Sequence, residues 1–71
     1  MEREYEYEYD GSGHPWVIVS PQEAGYLVAV LGGTKRPLQD GRWAYTNWVF
    51  DRAEDLLSQV LSCLGKVRVA I

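Results

Sequence analysis

A lone cysteine, Cys63, is the first constraint. No internal disulfide can staple the chain, and neither a Cys/His zinc set nor a C-x-x-C redox pair can be assembled. Histidine is equally scarce: His14 is the only one, and no serine or cysteine stands at a recognisable nucleophile elbow, so no catalytic group is assigned and no enzyme is expected. Beside Pro15, at the start of a predicted strand, His14 reads as a turn residue. Cys63 falls on a helix flank with no basic neighbour to lower its pKa, and reads as packing. Long apolar runs are missing too. The longest, Tyr26 to Leu31, is far shorter than the ~20 residues that a bilayer requires. No basic segment leads into an apolar one in the manner of a signal peptide, and the expected location is the cytoplasm. Basic residues are few, seven against ten acids, and form no evident face, which argues against direct nucleic-acid binding.

What the chain does have is a period-two run at its start. Glu2, Glu4, Glu6, Glu8 and Asp10 alternate with Arg3, Tyr5, Tyr7 and Tyr9. Successive strand side chains point to opposite faces, so this spacing predicts a strand with five carboxylates on one face and the tyrosines on the other. The first ten residues carry net −4 of the chain's net −3, leaving +1 for everything else. The acidity is therefore a local stripe, which can steer a basic partner. Carboxylates along one straight strand do not converge on a point, so no metal is expected, and nothing implies a cofactor.

Asp10-Gly11-Ser12-Gly13 is a dense turn signal, and the β-branched and aromatic run from Trp16 to Ser20 completes a predicted hairpin. Ser20-Pro21-Gln22-Glu23 fits a capping box with proline in the first turn, but Gly25, Val28 and Val30 come directly after it. The expectation is one helical turn or a short loop there and a third strand over Tyr26 to Leu31, with a longer helix from Pro21 to Leu31 as the alternative. Gly32-Gly33 then opens a long loop through Gly41. Arg42 to Phe50 reads as a fourth strand, with Trp43, Tyr45, Asn47 and Val49 on one face and Ala44, Thr46, Trp48 and Phe50 on the other. Asp51 followed by Glu54 caps a helix on which Ala53, Leu56, Leu57, Val60, Leu61 and Leu64 share an apolar stripe, closed by Gly65. Lys66 to Ile71 reads as a fifth strand.

These elements predict one α+β domain over residues 1–71: a small antiparallel sheet in the order 5-1-2-3-4, with one helix on one face. Strand five would set Lys66 and Arg68 opposite the glutamates of strand one. One helix leaves the second sheet face uncovered, so the tryptophans are expected to meet another chain, with a homodimer through that face preferred.

Two surfaces are candidates for function. Glu2, Glu4, Glu6, Glu8 and Asp10 form a carboxylate ladder whose i, i+2 spacing of ~6.6 Å resembles that of neighbouring phosphates on a nucleic-acid strand. Such a ladder suits a basic groove on a protein that handles nucleic acid. Trp16, Trp43, Tyr45, Asn47 and Trp48, with Lys35 and Arg36 in the loop, form a possible aromatic interface; Asn47 needs a hydrogen-bond partner if buried. Gly32-Gly33-Thr34-Lys35-Arg36 lacks the spacing and context of a Walker phosphate loop. The expected function is that of a small non-enzymatic protein which blocks a larger partner through its acidic strand. In size and strategy this looks like the inhibitors that phages use against host defence, anti-CRISPR proteins among them, and that analogy implies a host cytoplasm. The alternatives are an assembly or antitoxin-like module using the aromatic face, and a small-ligand binder.

Overall fold

The computed structural model of the protein describes residues 5–65. Six elements succeed one another: β1 (Tyr7–Tyr9), β2 (Pro15–Val19), α1 (Pro21–Leu31), β3 (Thr34–Pro37), β4 (Trp43–Thr46) and α2 (Ala53–Cys63). This is a small α+β fold, a four-stranded antiparallel sheet in the order β1-β2-β4-β3 with two helices. The β1–β2 and β3–β4 hairpins meet along β2 and β4, whose register pairs Val17 with Tyr45 and Val19 with Trp43.

The segment expected as a third strand is the second half of α1. Its start is the capping box visible in the sequence: Ser20 Oγ accepts the Glu23 N–H at 3.1 Å, and Glu23 Oε1 accepts the Ser20 N–H at 3.0 Å. Satisfying these two orphan donors stabilises a helix start by about 1 kcal/mol. Packing supplies the rest, since Ala24, Leu27, Val28 and Leu31 recur at helical spacing and face the main core, offsetting the poor propensity of Gly25 and the valines. The alternative of a helix from Pro21 to Leu31 is the observed one. The meander therefore gives way to β2-α1-β3, a crossover between parallel strands into which β4 inserts.

Two further boundaries move. Thr34–Pro37, expected within a loop, is an edge strand on β4, where a proline is tolerated at the outer end. The fourth strand stops at Thr46 rather than Phe50. Asn47 Oδ1 accepts the Val49 N–H at 3.2 Å, a local side-chain bond that competes with the ladder and turns the chain toward α2. The second helix is present, but its N-cap is Arg52 without a side-chain bond, not Asp51. Gly65 comes after the Leu64 C-cap with φ +71°, the left-handed turn expected of it. The fifth strand, and with it the place given to Lys66 and Arg68, lies outside the described residues.

The sheet has a helix face and an open face. Val17, Val19 and Tyr45 on the helix face pack with Ala24 and Leu27 of α1 and Leu56 and Val60 of α2, with Tyr5, Trp43 and Phe50 at the margin. Two helices cover this face in place of the single one expected. On the open face Trp16, Ile18 and Ala44 form a smaller cluster with Leu38.

Candidate binding surface

The hairpin turn fixes where the acidic strand sits. Asp10 Oδ1 accepts the Ser12 N–H (2.9 Å), the Ser12 hydroxyl (2.9 Å) and the His14 N–H (3.0 Å), while Oδ2 accepts the Trp16 indole N–H at 2.8 Å. Asp10 is thus a turn organiser, with both carboxylate oxygens engaged. The Trp16 indole above all, then the His14 and Ser12 donors, holds its carboxyl well below the usual carboxylate range. A depressed folded-state pKa gives stability that is full above the unfolded value, about 3.9, and is lost as pH falls through the folded one. Asp10→Asn keeps at best part of this set, so the melting temperature of the native chain should exceed that of D10N near neutral pH. The gap should narrow below about pH 4. A pH series of thermal melts followed by Trp fluorescence checks this; a gap unchanged down to pH 2 would contradict it.

Register places Glu8 opposite Trp16, and Glu6 beside Ile18, whose N–H bonds the Glu6 carbonyl at 2.9 Å. Both glutamates therefore rise from the open face, away from the helices. They are exposed. Arg42, in the turn before β4, reaches Glu6 at 3.1 Å and Asp40 at 2.7 Å, and its side chain and backbone N–H hold the Asp40 carboxyl low. Sequence reasoning assigns Arg42 no role, although Asp40-Gly41-Arg42 is a short turn that brings an acid and a base together. Exposed pairs of this kind contribute only ~0–1 kcal/mol and exchange readily. Glu2 and Glu4 lie outside the described residues.

The remaining predicted site residues divide between the two faces. Trp43 and Tyr45 belong to the helix face, whereas Trp16 and the exposed Trp48 lie together on the open side, their rings edge to face at 5.8 Å. Lys35 and Arg36 are strand residues rather than loop residues. Lys35 stands over the Trp43 ring at 5.0 Å and Arg36 over the Trp16 ring at 4.6 Å. With Trp48 on one side and the Arg36 guanidinium on its face, Trp16 is only 6% exposed. The open-face apolar residues Trp16, Ile18 and Ala44 are thus buried within the chain, and the exposed aromatic there is Trp48, at 57%.

Asn47 finds its partners internally. Its Nδ2 donates to the Leu31 carbonyl at 3.2 Å and to the Tyr45 hydroxyl at 3.4 Å, and that hydroxyl donates to the Gly32 carbonyl at 2.6 Å. These bonds tie the end of α1 to the end of β4, and burial pushes the Tyr45 phenol up. His14 stacks on Trp48 at 4.4 Å with its Nε2 buried and without a hydrogen-bond partner among the described residues. Cys63 is half-buried against the main core, and no cluster of three or more His, Cys, Asp or Glu able to hold a metal ion occurs among the described residues. No helix of the described residues is long and apolar enough to cross a membrane. Comparison with known protein families, curated proteins and solved structures finds no match.

Proposed function

We propose that this chain is a non-enzymatic binding protein that blocks a larger, nucleic-acid-handling protein by laying the carboxylates of β1 against its basic surface. The supporting observation is the placement of Glu6 and Glu8: neighbours on one face of β1 and the residue before it, exposed on the side of the sheet that no described helix covers. Asp10 is committed to the turn, but Glu6 and Glu8 are not; the Arg42 bridge to Glu6 is exposed and can be exchanged for a partner's arginine. Glu2 and Glu4 continue the alternation in the sequence. A carboxylate ladder competes with a phosphate backbone for the same guanidinium and ammonium groups. The strategy is that of phage inhibitors of host defence.

Capture from a nuclease-treated bacterial lysate on the immobilised chain tests the reading, beside the Glu4/Glu6/Glu8→Gln variant at low and moderate salt. The native chain should retain a nucleic-acid-handling complex that an added oligonucleotide displaces, and the variant should lose at least tenfold of that capture. Retention by the variant would sink the acidic-strand reading. One observation favours a second reading, an assembly or antitoxin-like contact through apolar residues: Trp48 and Val49 stand exposed side by side, at 57% and 78%. Its binding would resist salt and fail in Trp48→Ala instead.

A further inference from the structure

The two outer strands of the described sheet carry opposite charge. From residue 5 to residue 10 the β1 strand and its flanks hold Glu6, Glu8 and Asp10 and no base; β3 holds Lys35 and Arg36 and no acid. Every residue of both strands is exposed. Charged edges ordinarily keep strands from pairing with other chains. Like charge discourages β1 from meeting β1, or β3 from meeting β3. It does nothing to keep β1 of one molecule from β3 of the next.

Backbone alternation shows which groups each edge offers. Ile18 N–H bonds the Glu6 carbonyl and Asp10 N–H bonds the His14 carbonyl, so the backbone groups of Glu6, Glu8 and Asp10 turn inward to β2. Those of Tyr7 and Tyr9 turn outward. On the other edge Leu38 N–H bonds the Arg42 carbonyl, so Thr34 and Arg36 face β4 while Lys35, and the carbonyl of Pro37, face outward. Strand directions also agree. Across the order β1-β2-β4-β3 each neighbour is antiparallel, so a second copy in the same orientation would present its β1 antiparallel to β3, with helix faces on the same side.

We propose that a second copy of this chain adds its β1 to the β3 edge, head to tail, with Tyr9 opposite Lys35 and Glu8 opposite Arg36. In that register Tyr9 and Lys35 exchange two backbone hydrogen bonds and Tyr7 N–H donates to the Pro37 carbonyl. Glu8 and Arg36, both on the open face, meet as a non-hydrogen-bonded pair, the closer kind of cross-strand neighbour. Glu8 is the better partner because Glu6 is already bridged by Arg42, whereas no ion pair engages Glu8 among the described residues. The contact is heterologous, so among the described strands each addition leaves one acidic and one basic edge unpaired. Growth is open-ended, not limited to a dimer.

Sedimentation velocity of the purified chain from 10 μM to 1 mM, at low and high salt, tests this. The expected result is a weight-average mass that climbs with concentration past that of a dimer and falls back on adding salt. Glu8→Lys alone and Arg36→Glu alone should each remain monomeric while keeping the native circular dichroism spectrum, and an equimolar mixture of the two should recover association, because both edge contacts between the unlike variants are complementary. A chain made with N-methyl Tyr9, which lacks one outward donor, should associate at least tenfold more weakly. A monomer throughout, a mass that saturates at two, or association unaffected by both charge reversals would overturn the proposal. Arg36→Glu also separates this contact from the blocking reading, since it removes self-association and leaves the β1 carboxylates available for capture.

Discussion

Gly33→Ala should remove most of the protein's folding stability. Gly33 sits between α1 and β3 with φ +97°, and a Cβ there would lie 2.4 Å from the Thr46 carbonyl oxygen and 3.0 Å from the Tyr45 hydroxyl. The backbone conformation alone costs an L residue roughly 1–2 kcal/mol. The clash adds to it, because the atom met is backbone: Thr46 is held in register with Thr34, and moving its carbonyl strains the β3–β4 ladder. The Tyr45 hydroxyl cannot give way cheaply either, since it bonds the Gly32 carbonyl. A total near 3 kcal/mol or more is comparable with the ~3–5 kcal/mol that a core in a chain this short supplies. Two other glycines calibrate the effect. Gly13, at φ +83° with nothing near its missing Cβ, should lose only the backbone share on Gly13→Ala, and Gly25 in α1, with open space around it, should gain up to ~1 kcal/mol on Gly25→Ala. Urea denaturation of the three variants should rank them in that order, and a G33A midpoint equal to that of G13A would show that the close approach carries no cost.

The sequence marks the Gly32-Gly33 pair only as a chain break, because the role of Gly33 depends on how β3 pairs. β3 contains no apolar residue except Pro37, so hydrophobic alternation is silent there, and its extended state is imposed by β4. The α2 helix is readable because its stripe of Leu56, Val60 and their neighbours is set against Glu54, Asp55 and Gln59 on the outer side. The Glu–Tyr alternation does the same for β1 at period two, whereas β2, apolar and buried throughout, is read from its β-branched and aromatic content after a dense turn signal. α1 is not, because Tyr26, Ala29 and Val30 are apolar yet not buried in the core, which fills in the gaps of the helical pattern and leaves an unbroken run that fits a buried strand equally well.

The candidate surface shows the same division. That Glu6 and Glu8 share a face is a consequence of alternation alone. That Asp10, on the same face, is consumed by the turn depends on the chain folding back so that the Trp16 indole reaches its second oxygen. Arg42 reaches Glu6 across 36 positions of sequence, a distance that no local pattern encodes. The aromatic set expected as one interface divides because β4 alternates: Trp43 and Tyr45 go to the core of the helix face, and Trp48 lies past the end of the strand.

Leu27→Ala tests the helix directly and should rank next in severity. Leu27 is fully buried between α1 and the sheet, whereas Tyr26, its neighbour in sequence, is 51% exposed. Removing a leucine from such a site costs about 2–5 kcal/mol, the spread reflecting how far the surroundings collapse into the cavity. Tyr26→Ala should stay within about 0.5 kcal/mol of the native chain. A strand with both faces covered would penalise the two positions alike, so urea midpoints that fall together would contradict the helical register. Where L27A does not fold, Leu27→Met conserves the volume and should cost less than about 1.5 kcal/mol, still more than Tyr26→Ala. Leu27 lies on the helix face, on the opposite side of the sheet from Glu6 and Glu8. L27M should therefore lower stability without changing partner capture or self-association, while the glutamate variants should do the reverse.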